Sequence, residues 1–324
     1  MPSISIIIPC YNAEPFLHET VNSIFKQTFS DYEIILIDDG SKDKTAGVIK
    51  SFENKVKAEF QSNKGASFTR NRGTALAKGE FIQYLDADDL LRPEALQTRV
   101  DALYSNNADV AYSDWQKLEE QSDGSYVLGD IISRRIEDVH LDTEIALFTN
   151  FWCPPAALMY RRSIVDKIGT WNESLPIIQD ARFLLDAALI GGNFVYVPGI
   201  GADYRVHQKN SLSRKSNINF VIDCFHNALQ IEEVWKNHGG ISKERSLALQ
   251  KVYAQIARFF FEHDSLKFEQ VMNRIYKLNP SYIPDNPKVL NILSRRLGYK
   301  NAEAVALMYR KLKKLFKKSL FKKK

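Results

Sequence analysis

The chain has little cysteine, no long apolar run and no glycine-rich phosphate-binding fingerprint, and each lack removes a class of protein. Its three cysteines, Cys10, Cys153 and Cys224, are scattered and odd in number. They form no CxxC pair, so they point to neither a disulfide framework nor a zinc site. No apolar stretch approaches the roughly 18 residues that a membrane span needs, and ISIII near the start is too short for a signal-peptide core. On those grounds the chain reads as cytoplasmic. GxGxxG and GxxxxGK[ST] are both missing, which sets aside dehydrogenases and P-loop NTPases. Acidic residues are absent from RKLKKLFKKSLFKKK, residues 310–324, which holds nine basic ones; the formal net charge of +5 therefore leaves −4, five less nine, on the body. A mildly acidic body argues against a nucleic-acid-binding face.

What remains is a chain of 324 residues, 44% hydrophobic and 26% charged, which can bury a sizeable core as one large or two ordinary domains. SISIII (3–8), EIILID (33–38), KAEFQS (57–62) and EFIQYL (80–85) read as strands. Helical spacing follows the first, with Phe16, Leu17, Val21, Ile24 and Phe25 on one face. A second helix carries Val48, Ile49 and Phe52, with Ser41 or Asp43 as its cap, and a third opens in NKGASFTRNRG (63–73). Strands alternating with helices predict a doubly wound, mainly parallel open sheet, with helices on both faces. Such sheets bind ligands at the carboxyl ends of their strands. PCYN, DDGS, NKG and DADD all fall at such ends, so a nucleotide site is expected there.

From 105 to 214 the pattern is mixed, with short strands (DVAYSDW, NFVYVP) and helices (RSIVDKIG, DARFLLDAALIG). Residues 217–308 read as helical, with one proline-rich break at 276–289. The predicted division is 1–215, 216–309 and a basic amphipathic tail at 310–324.

LDADDLL (85–91) puts Asp86, Asp88 and Asp89 where an apolar strand ends. Three carboxylates so close repel one another unless a cation sits among them. The bland alternative is a loop before a helix opened by Pro93 and capped by Asp89. This stretch alone does not choose between them.

PCYNAEPFLHETVNSIFKQT, EIILIDDGSKDKT and NKGASFTRNRGTALAKGEFIQYLDADD, in that order and spacing, resemble the nucleotide-sugar-binding half of family 2 glycosyltransferases. LPIIQDARFLLDAAL and YRVHQKNSLS extend the likeness to about residue 214. The resemblance implies a GT-A fold and an inverting, metal-dependent hexosyl transfer from a UDP-sugar to a glycan or lipid-linked acceptor, as in surface polysaccharide biosynthesis. It implies that Asp39 binds the nucleotide base, a carboxylate acceptor suiting the N3–H of uracil. Pro9, Tyr11 and Asn12 would line base and ribose, Asn63 and Gly65 would shape the loop, and Arg70 would lie near the nucleotide. Asp86 and Asp88 match the DXD motif, the first contacting ribose or metal-bound water and the second ligating Mn²⁺ or Mg²⁺. His207 would complete the metal shell, and Arg205 and Ser211 would meet the phosphates.

The expected base is Asp180, since an aspartate is ionised at neutral pH and able to accept a proton. Its neighbour is Gln179, where the family usually has glutamate. FWCPPAALMYRRS (151–163) and Trp171 offer either an aromatic acceptor surface or core packing. The tail, helical, would gather Leu312, Leu315, Phe316, Leu320 and Phe321 into a stripe among lysines, the layout of a helix lying on an anionic membrane surface. That would make the protein peripheral at the inner face of the membrane. A nucleotidyltransferase, or a non-catalytic nucleotide-sugar-binding scaffold, is the alternative.

Overall fold

A computed structural model describes residues 2–208, 217–284 and 287–321. The chain forms two compact units, Met1–Asp223 and Cys224–Lys324. In the first, strands β1 (Ile4–Cys10), β2 (Tyr32–Asp39), β3 (Lys57–Gln61) and β4 (Phe81–Tyr84) alternate with helices α1 (Leu17–Phe25), α2 (Thr45–Ser51) and α3 (Ala66–Leu76). Then follow β5 (Leu90–Leu91), α4 (Ala95–Ser105), β6 (Val110–Glu120), β7 (Tyr126–Ile132), α5 (Thr143–Thr149), β8 (Leu158–Arg161), α6 (Arg162–Ile168), α7 (Gln179–Leu189) and β9 (Phe194–Val206).

The described strands make one nine-stranded sheet in the order β3-β2-β1-β4-β8-β6-β9-β5, with β7 beside β6. The parallel part that the βαβ pattern predicts is β3-β2-β1-β4. β1 is buried along its length apart from Pro9, as a central strand covered on both faces must be. β3, at the edge, is polar and mostly exposed. Beyond β4 the sheet becomes mixed: β8 runs antiparallel to β4 and β6, while β9 is parallel to β6. Helix α3 packs on β1 and β2, α4 on β6 and β9, and α6 on β4 and β8.

Two strands are longer than the sequence suggested. β6 continues from the predicted DVAYSDW to Glu120, and β9 from NFVYVP to Val206. The polar and glycine-containing continuations disguise this, because β9 shifts register against β6 around Asp114 and so breaks strict alternation. Gly201 sits at that turn of the strand, where a Cβ would lie 2.4 Å from both Arg99 Nη2 and Ser113 Oγ. The long β9 matters for function because it carries Arg205 and His207 to the DADD loop. The two-residue β5 pairs antiparallel with it at Ala202 and Asp203. DADD is thereby clamped between the end of β4 and β5.

The second unit is helical, built from Lys243–His263, Ser265–Leu278, Lys288–Leu297 and Tyr299–Phe321, with Asn217–Asn237 crossing the boundary. Ser242 and Asp264 cap the first two of these helices by accepting from Arg245 N–H and Lys267 N–H. Inside, Glu232 is buried but accepts from Lys236 and Tyr253. Among the described residues no helix is long and apolar enough to cross a membrane.

Candidate active site

The loops at the carboxyl ends of β1 and β2 are stitched to each other. Asn12 adopts a left-handed backbone (φ 51), which asparagine tolerates. Its N–H donates to Ser41 Oγ (2.9 Å), and its side-chain oxygen accepts from Lys42 N–H (2.8 Å). Neither Ser41 nor Asp43 stands at the cap position of α2, which is Lys44; Asp43, just before it, accepts from Thr45 N–H at 3.0 Å. Next to Asn12, Pro9 is half-buried and Tyr11 presents its ring at 48% exposure.

Asp39, at the end of β2, is 3% exposed. Its Oδ1 accepts from Gln61 Nε2 and Lys64 N–H, and its Oδ2 from Gly65 N–H, each at 2.8 Å. Asn63 Nδ2 donates to its backbone oxygen at 3.1 Å. Gly65 holds φ 91 at the entry to α3, a conformation that only glycine adopts freely. Asp39 thus organises the whole 61–65 loop around its carboxylate.

Arg70, on α3, is buried. Its side chain, 3% exposed, lies over the Trp171 ring at 4.6 Å. One Nη donates to Gln179 Oε1 and the other to Asp86 Oδ1. Trp171 itself is 2% exposed and stacks on Phe183 at 4.2 Å, so it packs in the core and offers no acceptor surface. Burial, and then the neighbouring carboxylates of Asp88 and Asp180, push Asp86 up against the pull of Arg70.

Asp88 Oδ2 lies 2.9 Å from His207 Nε2, and His207 Nδ1 is hydrogen-bonded to the Tyr126 hydroxyl at 2.7 Å. Tyr126, on β7, was not singled out from the sequence, since a lone tyrosine beyond a turn carries no signal. A phenol can donate or accept, so it satisfies the imidazole in either tautomer.

Arg205 points beneath this loop. Its Nε donates to Asp88 O (2.6 Å), Nη2 to Glu19 Oε2 (2.8 Å), and its guanidinium lies between the Phe16 and Tyr126 rings at 4.8 and 4.5 Å. With its side chain 3% exposed, it braces the loop. Asp89 does not cap α4, whose cap position is Glu94. It is 1% exposed and accepts from Arg205 N–H at 2.8 Å, and burial together with Asp88 and Asp86 pushes it well up. Ser211 lies outside the described residues.

Asp180 sits in the first turn of α7 without capping it; the cap position is Ile178. Its Oδ2 accepts from Trp152 Nε1 at 2.9 Å. Trp152 meets Trp115 and Tyr204 edge-on at 5.5 and 5.3 Å. A small cleft lined by Ser113, Trp115, Ile132, Phe151, Trp152 and Cys153 adjoins them. Burial, followed by Asp89, Asp86, Asp180 and Asp88, pushes the Tyr204 hydroxyl far up. Four carboxylates therefore act electrostatically on one tyrosine, and Arg70 ties the Asp86 end of the loop to Gln179, the chain neighbour of Asp180.

That arrangement tests the metal reading. Among the described residues no group of three or more His, Cys, Asp or Glu forms a closed metal cage. Asp88 and His207 offer two hard-to-borderline donors in an acidic surrounding, which suits a cation that takes its other ligands from a diphosphate. The residues fit an open site, not a structural one.

The sequence model of Glycosyl transferase family 2 matches residues 5–169. A glycosyltransferase of Nostoc sp. is 31% identical over 229 residues, covering 64% of this chain and 66% of that protein. The glycosyltransferase GlyG of Streptococcus pneumoniae is 37% identical over 127 residues, 38% of this chain and 42% of that one. The chain thus spans less than two thirds of the length of these relatives. Among solved structures, residues 1–349 of S. aureus TarS in complex with UDP-GlcNAc superpose with a TM-score of 0.68 at 19% identity, over 95% of this chain and 92% of that one. The mannosyltransferase PcManGT of Pyrobaculum calidifontis, in complex with GDP-Man and Mn²⁺, gives 0.53 at 15% identity, over 96% and 88%. The fold is GT-A, followed by C-terminal helices.

Proposed function

We propose a reaction from one premise: this chain belongs to glycosyl transferase family 2. It transfers a sugar from a nucleoside diphosphate sugar, UDP-linked, to an acceptor hydroxyl with inversion at the anomeric carbon. The observation that carries this reading is the bridge of Arg70 from Asp86 to Gln179, which brings the helix of Asp180 to the loop where Asp88 meets His207. Complexes of similarly folded proteins with UDP-GlcNAc and GDP-Man support a nucleotide-sugar donor.

The nucleotide lies across the ends of β1 and β2. Tyr11 offers a stacking face, and Pro9 and Asn12 form the floor. Asp39 holds the Asn63–Gly65 loop and has one lone pair, on Oδ2, left for the base N3–H. Arg70 fixes Asp86 toward the ribose. Mn²⁺ or Mg²⁺ held by Asp88 and His207 would supply positive charge to the diphosphate.

Asp180 takes the proton of the acceptor hydroxyl as that oxygen bonds to the anomeric carbon. The bond from that carbon to the diphosphate oxygen breaks, and the products are the glycosylated acceptor and UDP. The half-buried rings of Trp152 and Tyr204 beside Asp180 suit the C–H faces of a glycan or lipid-linked acceptor. The terminal helix supports a peripheral location on an anionic membrane, because Val305, Met308 and Tyr309 on it are exposed and 310–324 is wholly basic among its charges.

The test is nucleotide release from a panel of UDP- and GDP-sugars, with and without glycan acceptors. Release of UDP from at least one UDP-sugar is expected. Release of pyrophosphate, or of no nucleotide from any donor, would reject the reading.

A further inference from the structure

Acidic side chains in the first turn of a helix ordinarily turn toward the helix's own free N–H groups, which carry partial positive charge. Asp180 has every reason to do so. It occupies the first turn of α7, whose cap residue Ile178 offers no side-chain acceptor. Yet its Oδ2 is bound by the indole N–H of Trp152, 28 residues earlier in the chain. An indole N–H can only donate and an ionised carboxylate can only accept, so the pairing has one polarity and one geometry.

Trp152 is itself well fixed. Edge-on contacts with Trp115 (5.5 Å, 88°) and Tyr204 (5.3 Å, 75°) hold its ring, and Trp115 meets Tyr204 at 5.5 Å to close the trio. Beyond Cys153, Pro154 and Pro155 restrict the backbone that follows it. A rigid donor of this kind is what holds a reacting group in one orientation.

We propose that Trp152 is the positioning residue for Asp180. Its N–H draws the carboxylate away from the α7 terminus and occupies Oδ2. Oδ1, which has no hydrogen bond among the described residues, is left to take the acceptor proton. The assignment rests on Asp180 being the base, and it adds a residue whose loss leaves the donor site intact.

The kinetic experiment uses the full chain and four proteins: wild type, Trp152→Phe, Asp180→Asn and the double variant. Trp152→Phe keeps a ring in place and removes only the N–H and part of the ring. Turnover should fall by about 10- to 100-fold, the scale of a misplaced reacting group, with the donor KM within about twofold of wild type. In the Asp180→Asn background the same substitution should change turnover by less than about twofold, because a residue acting through the base has nothing left to act on. Losses that multiply would mean that Trp152 acts independently, and would overturn the proposal. A measurement without substrate checks the bond itself. With ¹⁵N-labelled indoles, the Trp152 signal, assigned by its disappearance in Trp152→Phe, should move in Asp180→Ala more than those of Trp115, Trp171 and Trp235. A stationary signal overturns the proposal even if activity falls. If the wild type releases no nucleotide from any donor, the assigned reaction fails and the positioning role goes with it, whatever the indole signal does.

Discussion

Arg70 ties α3 to the DADD loop and to the helix of the expected base, and replacing it with methionine measures what that tie contributes. Methionine fills much of the volume and removes the charge. Three contacts vanish: the stacking on Trp171, the donor to Gln179 and the ion pair with Asp86. A desolvated cation–π contact contributes about 2 kcal/mol. Gln179 is 6% exposed, and a buried acceptor left without its donor costs about 1–3 kcal/mol. The Asp86 side chain is 31% exposed, so water restores part of what it loses and we assign that contact about 1 kcal/mol. Against these stands the relief of no longer burying a guanidinium, which offsets a few kcal/mol in comparable pairs. The balance is a loss of about 3 kcal/mol.

Urea unfolding of the full chain, monitored at constant m, reads this directly. Arg70→Lys should recover less than half of the loss, because one ammonium cannot serve two acceptors and a ring together. Restoring charge is then insufficient and the fork is what matters. A loss below about 0.5 kcal/mol for methionine, or full recovery by lysine, would refute this account of Arg70.

Asp180→Asn should lower turnover by about 10²–10⁴-fold, the scale of a lost general base, while UDP affinity measured by calorimetry stays close to wild type. Asp39→Ala should do the reverse, weakening UDP binding, and the loss of three loop hydrogen bonds should lower the melting temperature as well; equal loss of UDP affinity in both variants contradicts these assignments. Chelation should abolish transfer, and Asp88→Asn should lose metal-dependent UDP binding, so an Asp88→Asn protein with wild-type metal dependence moves the cation elsewhere. Deleting residues 310–324 should remove salt-sensitive binding to anionic vesicles yet leave UDP-sugar hydrolysis in solution unchanged, and full-length protein that ignores such vesicles at low salt would show the tail to be a solvated end.

Strands β1 to β4 were legible because each is a short apolar run punctuated by turn residues, and their order follows from the alternation with helices. The placement of Asn12, Asp39 and the DADD aspartates at strand ends was legible for the same reason, since they lie where those strands stop. What the sequence hid are partnerships across long separations. Arg70 finds Gln179 and Asp180 finds Trp152 only after β9 and α7 have been laid against the parallel strands, whereas Asp88 beside His207 was expected from the resemblance. Tyr126 and Glu19 belong to the same group, since neither has a local pattern that announces a partner. Asp89, which looked like a helix cap, is claimed instead by a backbone N–H of β9.

Gln179 looked like a defect beside the expected base, and its contact explains why it is tolerated. The carboxamide oxygen accepts from Arg70 as a carboxylate would, so the geometry survives the loss of a charge. The charge is better absent. Asp86, Asp88, Asp89 and Asp180 already act together on Tyr204, and two buried guanidiniums, Arg70 and Arg205, offset them, the second shared with the exposed Glu19. With all four ionised, four negative charges against two positive ones would leave a deficit of two. A glutamate at 179 would deepen it. A divalent cation between Asp88 and His207 would close it before any diphosphate arrives, and this gives the metal reading a test that needs no turnover. Adding Mn²⁺ to the free protein should raise the melting temperature by several degrees, and Asp88→Asn should abolish that rise. A wild-type protein indifferent to millimolar Mn²⁺ and Mg²⁺ would mean that the carboxylates are balanced by protons instead.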